Sequence, residues 1–290
     1  MKLAAVKLPW APLDIWFIGD IQWSGDENTV AVSYLKETIA DALKAESRGH
    51  TVRFIGMGDY IDFASPSNRS RLKAANLYDT AGDVIDQKAL SLVYEVYDFL
   101  KPTKGKWLGL VEGHHFHEMK DGTTTDMRLC EMLKAEFFGT TGLLNVQFRR
   151  ETSDQQIGLV IWFAHGTGSG QTGYYPLTRL EKKSAEWERV DVFAMGHTTK
   201  KVMEYQNRVY PRWSPVRDLA HRKVILVGTG GYSKCYVEGA KQGRVPRGGY
   251  AEQKMLHSSI IGSPVVHARP YATRQGGGQK SLGLDLTAEG

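Results

Sequence analysis

The run Phe54-Ile55-Gly56-Met57-Gly58-Asp59-Tyr60-Ile61-Asp62 constrains this chain more than any other stretch. Short apolar runs of this kind read as strands buried on both faces. This one ends abruptly in Gly-Asp, with a second carboxylate three residues on. A carboxylate at the end of a buried strand is costly unless something pairs with it. Ligand sites in open α/β sheets lie outside the C-terminal ends of the strands. Asp59 therefore needs a partner, and a metal ion is the first candidate.

The same pattern recurs along the chain. Residues 13–21 form an apolar run ending in Asp20, with Gln22 just beyond. Residues 27–47 carry apolar side chains at helical spacing (Val30, Tyr34, Leu35, Ile39, Leu43) before the run at 51–57. Strand, helix and strand in that order predict a parallel β-α-β unit. Further strands are expected at 106–111, 143–150, 156–163, 190–195, 202–210 and 223–228. Helices are expected at 81–100, at 123–138 with Thr125 or Asp126 as cap, and at 175–188. Residues 64–80 (ASPSNRSRLKAANLYDT) read as a loop beside the carboxylates, which makes Arg69 and Arg71 candidate substrate ligands. Tyr174, Tyr175, Trp187, Tyr205, Tyr210 and Trp213 could stack on bases, but most of them read as core.

Metal-binding side chains therefore follow apolar runs at Asp20, Asp59, His114 with His115, His165 and His197. One histidine at a strand end is usually structural. A set of five such sites points instead to a shared centre, and carboxylate with imidazole suits Mn, Zn, Fe or Ni.

Order and spacing together resemble the calcineurin-like metallophosphoesterase superfamily, whose motifs run D-x-H, G-D-x-x-D, G-N-H-E/D, H and G-H-x-H. The matching residues are Asp20-Ile21-Gln22, Gly58-Asp59-Tyr60-Ile61-Asp62, Gly113-His114-His115-Phe116, His165 and Gly196-His197-Thr198-Thr199. The resemblance covers roughly residues 13–230. It implies an α/β fold, a four-layer α/β/β/α sandwich of two mixed sheets. It also implies roles. Asp59 would bridge two metals, Asp20 and Gln22 would bind the first, and His114, His165 and His197 the second. His115 would protonate the leaving group or steady the transition state, and Asp62 would orient it. The register at 113–116 rests on Gly113; with His117 as ligand it would slip.

Two departures weaken the first metal site. Gln22 stands where the motif has histidine, and Thr199 stands where it has the last histidine. His114 in the asparagine position strengthens the second site, because imidazole suits transition metals better than an amide. The expectation is one tight and one weaker divalent metal. The Ser/Thr phosphatase branch is disfavoured: Phe63-Ala64 follow Asp62 and Glu112 precedes Gly113, so both phosphate-binding arginines of that branch are missing. The resemblance implies a metal-dependent phosphoesterase, a phosphodiesterase or nuclease first. A single-metal nucleic-acid-binding protein and a small-molecule phosphomonoesterase are the alternatives.

Charge bears on the partner. Residues 1–199 hold 22 Lys and Arg against 26 Asp and Glu, while residues 200–290 hold 15 against 6. A basic C-terminal third suggests an anionic partner, with DNA or RNA among the candidates. The domain reading is a metallophosphoesterase domain at 1–238 and a basic, Gly-rich, partly flexible extension at 239–290, with Gln275–Gln279 as a flexible tail. Cys130 and Cys235 stand in no C-x-x-C pattern, which with no signal-like start and no membrane-length apolar run reads as cytoplasmic. The sequence does not give an oligomeric state.

Overall fold

The structure, a computed structural model of the chain, describes residues 1–75, 78–150, 155–168, 172–213, 217–274 and 280–290. The tail expected at 275–279 lies outside these residues. Sheet one contains β1 (Lys2–Pro9), β5 (Thr141–Arg149), β6 (Gln156–Ala164), β7 (Val192–Met195), β8 (Lys201–Arg212) and β9 (Asp218–Thr229), in the order β1-β5-β6-β7-β9-β8. Sheet two contains β2 (Leu13–Ile18), β3 (Thr51–Gly56), β4 (Trp107–Leu110), β12 (Val265–Arg274) and β13 (Lys280–Glu289), in the order β13-β12-β2-β3-β4. Between β9 and β12 lie the two-residue strands β10 (Lys241–Gln242) and β11 (Val245–Pro246) and the short helix α6 (Tyr250–Gln253).

Both sheets are mixed. In sheet two, β2, β3 and β4 are mutually parallel and β12 and β13 are antiparallel additions. In sheet one, β6, β7 and β9 run parallel. The sheets face each other through one core: Leu13, Ile15 and Phe17 of β2 and Val266 and Ala268 of β12 meet Leu144, Val146 and Phe148 of β5, Ile161 and Phe163 of β6 and Ile225 of β9. Full burial of each such side chain contributes about 1.5–3 kcal/mol.

Alternation then sends Trp16 and Ile18 of β2 and Val52 and Phe54 of β3 to the opposite face. That face is covered by α1 (Val32–Ser47), α3 (Asp79–Leu100) and α4 (Thr125–Leu133). On the outer face of sheet one, Trp162, Phe193, Met195 and Leu226 pack on α5 (Tyr175–Ser184). The layers are therefore α/β/β/α, as the motif resemblance implied. A strand such as β2, buried on both faces, needs the near-continuous apolar run seen in the sequence.

Several local readings change. Residues 66–74, read as loop, form α2 (Pro66–Ala74), where Ser65 Oγ accepts the Asn68 N–H at 3.4 Å. The cap of α4 is Thr124, whose Oγ1 accepts the Met127 N–H at 3.2 Å, and neither Thr125 nor Asp126. The first strand, β1, pairs in parallel with β5 and was not anticipated. Residues 265–274 and 280–289, read as part of an extension, supply two strands of sheet two, with Val265–Ala268 paired to Leu13–Trp16 of β2. Tyr174, Tyr205, Tyr210 and Trp213 are exposed and not core. No described helix is long and apolar enough to cross a membrane, and both cysteines are free.

Candidate metal centre

Five strands converge on one end of the sandwich. Just beyond their C-terminal ends, β2 delivers Asp20, β3 delivers Asp59, β4 delivers His114, β6 delivers His165 and β7 delivers His197. The loops are stitched together by backbone bonds: Asp20 N–H to Gly58 O at 2.9 Å, Gln22 N–H to Asp59 O at 2.9 Å and Trp23 N–H to Tyr60 O at 3.1 Å. The approach is so close at Gly113 that a Cβ there would lie 2.1 Å from Asp59 N. Gly58, with φ of 87°, combines a left-handed backbone with a Cβ position 2.7 Å from His165 Nδ1.

Backbone strain concentrates here. Seven described non-glycine residues have positive φ, and five of them are Asp20, Gln22, Asp59, His197 and Thr199. Each costs about 1–2 kcal/mol for an L-residue. Gln22 and Thr199 share this left-handed conformation with Asp20, Asp59 and His197.

Two ligand groups result. One ring nitrogen each from His114, His165 and His197 lie within 4.8 Å of one another, and so do atoms of Asp20, Asp59 and His165. His197 Nδ1 lies 3.2 Å from His114 Nδ1 and 3.3 Å from His165 Nε2. His165 Nδ1 donates to Met57 O at 2.7 Å, which fixes the ring and points Nε2 at the cluster. That carbonyl plays the orienting part that outer partners play for metal-binding histidines. Asp59 Oδ1 accepts the N–H groups of His114 and His115, and Oδ2 faces His165 Nε2 at 3.2 Å.

Asp20 Oδ2 accepts the His197 N–H at 2.9 Å, while its buried Oδ1 has no donor. A buried carboxylate oxygen without a donor is an electrostatic demand that a cation answers. With three imidazole nitrogens converging beside it, the residues present fit a divalent metal.

The charges agree. Burial alone would raise the pKa of Asp59, but His165 outweighs it and holds the carboxyl well below the usual range. Burial lifts Asp20 to about 7, only partly offset by His165. Burial lowers the pKa of His165, yet Asp59 overrides it and carries the ring to about 9. Burial, then His165 and His114, push His197 down to about 4. His114 is lowered by burial and by His165.

His115 stands beside this cluster with Nδ1 2.7 Å from Asp62 Oδ1, and this hydrogen bond raises its pKa. His117, the rival for the ligand position, turns away: Nε2 lies 2.6 Å from Asp86 Oδ1 of α3. The substrate role expected for Arg69 changes. Its Nη1 donates to Ala64 O at 2.7 Å, to His114 O and to Phe116 O at 3.1 Å, and its guanidinium lies 3.8 Å over the Phe116 ring. It clamps the histidine loop. Arg71 is exposed on the last turn of α2. No contact of the Gln22 side chain with the cluster is seen among the described residues.

One positioning residue was missed as such. Asp126 on α4 is buried, its Oδ2 accepts the Gly113 N–H at 2.9 Å, and burial lifts its pKa to about 7. The signal in the sequence was an acidic residue on the first turn of a helix, which reads more simply as a cap.

No protein-family model matches the chain, and no curated protein matches it. Among solved structures, the chain is similar to Vps29 from Chaetomium thermophilum, with 10% identity and a TM-score of 0.34 over 95% of this chain and 97% of that one.

Proposed function

We propose that the chain is a metal-dependent phosphodiester hydrolase. The observation that supports this best is the pairing of two features at one end of the sandwich: a His114, His165 and His197 cluster beside Asp59 and Asp20, and the His115–Asp62 pair at its edge. His114, His165 and His197 would hold the tighter ion and Asp20, Asp59 and Gln22 the weaker one. A divalent cation bound there would neutralise phosphoryl oxygens and lower the pKa of water.

The chain's own residues supply the rest. Asp62 Oδ1 accepts a hydrogen bond from His115 Nδ1, which leaves Nε2 to carry the second proton of the charged ring. Because that bond raises the pKa of His115, the ring keeps its proton to higher pH than a free imidazole and can donate it to a leaving alkoxide. Asp126 and Arg69 hold the loop that carries His114 and His115. Neither touches a reacting atom.

Hydrolysis of bis-p-nitrophenyl phosphate with Mn, compared with His115→Ala and Asp59→Asn, tests the proposal. Wild-type turnover well above both variants supports it, and turnover no greater than theirs ends it. Gln22 and Thr199 favour a second reading, a nucleic-acid-binding protein with a structural metal, which would show metal binding without turnover. A phosphomonoesterase would prefer p-nitrophenyl phosphate.

A further inference from the structure

Between β9 and β12 the chain leaves sheet one and returns to sheet two through residues 233–262. The two ends of this arm meet at the metal centre. Gly262 N–H donates to Gly231 O at 2.9 Å, and the two residues form an isolated β-bridge. Gly231 lies so near Asp20 that a Cβ there would come 2.8 Å from Asp20 Cβ, and Tyr232 N–H donates to Asp20 O at 3.0 Å.

Both flanks of the arm rest on site loops. On one side Ser233 bridges Val30, and Lys234 N–H donates to Thr29 O at 2.8 Å. On the other, Ser259 Oγ lies 3.4 Å from Thr199 Oγ1, and Lys200 Nζ donates to His257 O at 3.2 Å. The arm therefore stands over the side of the site that carries Asp20 and Thr199.

The arm is basic in composition. Residues 233–262 hold Lys234, Lys241, Arg244, Arg247 and Lys254 against Glu238 and Glu252. Among the described residues, Lys234, Lys241, Arg244 and Lys254 make no ion pair. Tyr236, Val245, Met255 and Ile260 are exposed on the same arm. Cations without carboxylate partners, interleaved with an exposed ring and aliphatic groups, match a phosphate backbone with bases that stack or lie flat.

We infer that residues 233–262 form a nucleic-acid-binding arm that seats a DNA or RNA strand beside the metal centre. This rests on the phosphodiester reading for catalysis but uses a separate set of residues. Bis-p-nitrophenyl phosphate is too small to span the centre and the arm together, so the two can be tested apart.

The experiment uses the full chain and the double variant Lys241→Gln/Arg244→Gln. Hydrolysis of bis-p-nitrophenyl phosphate is measured beside hydrolysis of fluorescent single-stranded and duplex DNA and single-stranded RNA, over a series of salt concentrations. The expected result is unchanged diester turnover, with kcat/KM on the preferred oligonucleotide reduced about tenfold. The slope of log affinity against log salt should fall by about 0.7–0.9 for each phosphate that the variant no longer neutralises. Oligonucleotide hydrolysis and salt slope equal to wild type would overturn the inference. If wild type hydrolyses none of these substrates, the catalytic reading fails alone. Oligonucleotide anisotropy then decides the arm: binding weakened by the double variant supports it, and no binding or unchanged binding overturns it.

Discussion

Asp59 Oδ2 lies 3.2 Å from His165 Nε2, and both groups are almost fully buried. Without metal, this is an ion pair inside the site. The carboxylate is held ionised and the ring is carried to about 9, whereas a metal binds only the neutral ring.

Metal binding at this centre should therefore release a proton. At pH 8 His165 is still protonated, while His197, at about 4, is neutral. Titration calorimetry in buffers of different ionisation enthalpy should show about one proton released per ion at pH 8, falling toward zero above about pH 9 as His165 deprotonates. Apparent affinity should rise with pH up to that point, because only the neutral ring binds metal. Release of no proton at pH 8 would contradict the assignment of His165.

On the proposed reading His115 donates a proton and binds no metal. His115→Ala should lower kcat by about 10²–10⁴ while leaving metal content unchanged. Asp62→Asn removes the carboxylate charge that, through its hydrogen bond, raises the His115 pKa. The ring then loses its proton at lower pH, so the alkaline limb of the rate profile should move down in pH. An unmoved limb would remove Asp62 from this role.

Arg69 separates clamp from substrate ligand. As a clamp on the carbonyls of Ala64, His114 and Phe116, its change to Ala removes three part-buried hydrogen bonds, which costs about 1–3 kcal/mol. Thermal unfolding of Arg69→Ala should show a lowered midpoint, and Arg71→Ala should leave it unchanged. A raised KM with an unchanged midpoint would instead mark Arg69 as a substrate contact.

A second network ties the C-terminal strands to β2. Buried Asp14 lies 2.6 Å from His267 Nδ1 on β12 and 2.8 Å from His50 Nδ1, and His267 Nε2 lies 2.8 Å from Glu289 on β13. The bond to Asp14 raises the pKa of His267. Burial raises that of Asp14, but the bonds from His267 and His50 outweigh it and the net shift is downward. A raised imidazole stabilises fully below its unfolded pKa of about 6.5 and loses this as pH rises through the folded value. A lowered carboxyl stabilises above its unfolded pKa of about 3.9 and loses this as pH falls through the folded value. Urea unfolding should show the largest deficit of His267→Gln, about 1–2 kcal/mol, between pH 4 and 6.5, shrinking by pH 9. A deficit that is flat with pH would contradict the network.

What could be read from the sequence follows from what each signal needs. The ends of β2, β3, β4, β6 and β7 were legible because an apolar run stopped at Asp or His, and burial on both faces demands such runs. β12 was not legible: Pro270 and the charges of VVHARPYATR break a strand pattern. Pro270 is tolerated because β2 begins at Leu13, opposite Ala268, and leaves position 270 paired with β13 alone. β13 did carry period-two apolar residues, Leu282, Leu284 and Leu286, behind a glycine-rich stretch that masked them. The roles of Arg69 and Asp126 depend on carbonyls and N–H groups brought in from distant loops, which no local pattern encodes.

The central claim is an asymmetric metal centre, tight at His114, His165 and His197 and weak at Asp20 and Gln22. Elemental analysis of the purified protein, followed by metal titration, tests it most directly. The prediction is one tightly held divalent ion per chain, lost in His165→Ala, and a second that binds more weakly and gains affinity in Gln22→His/Thr199→His. Two ions of equal affinity in the unmodified chain, or none, would contradict it.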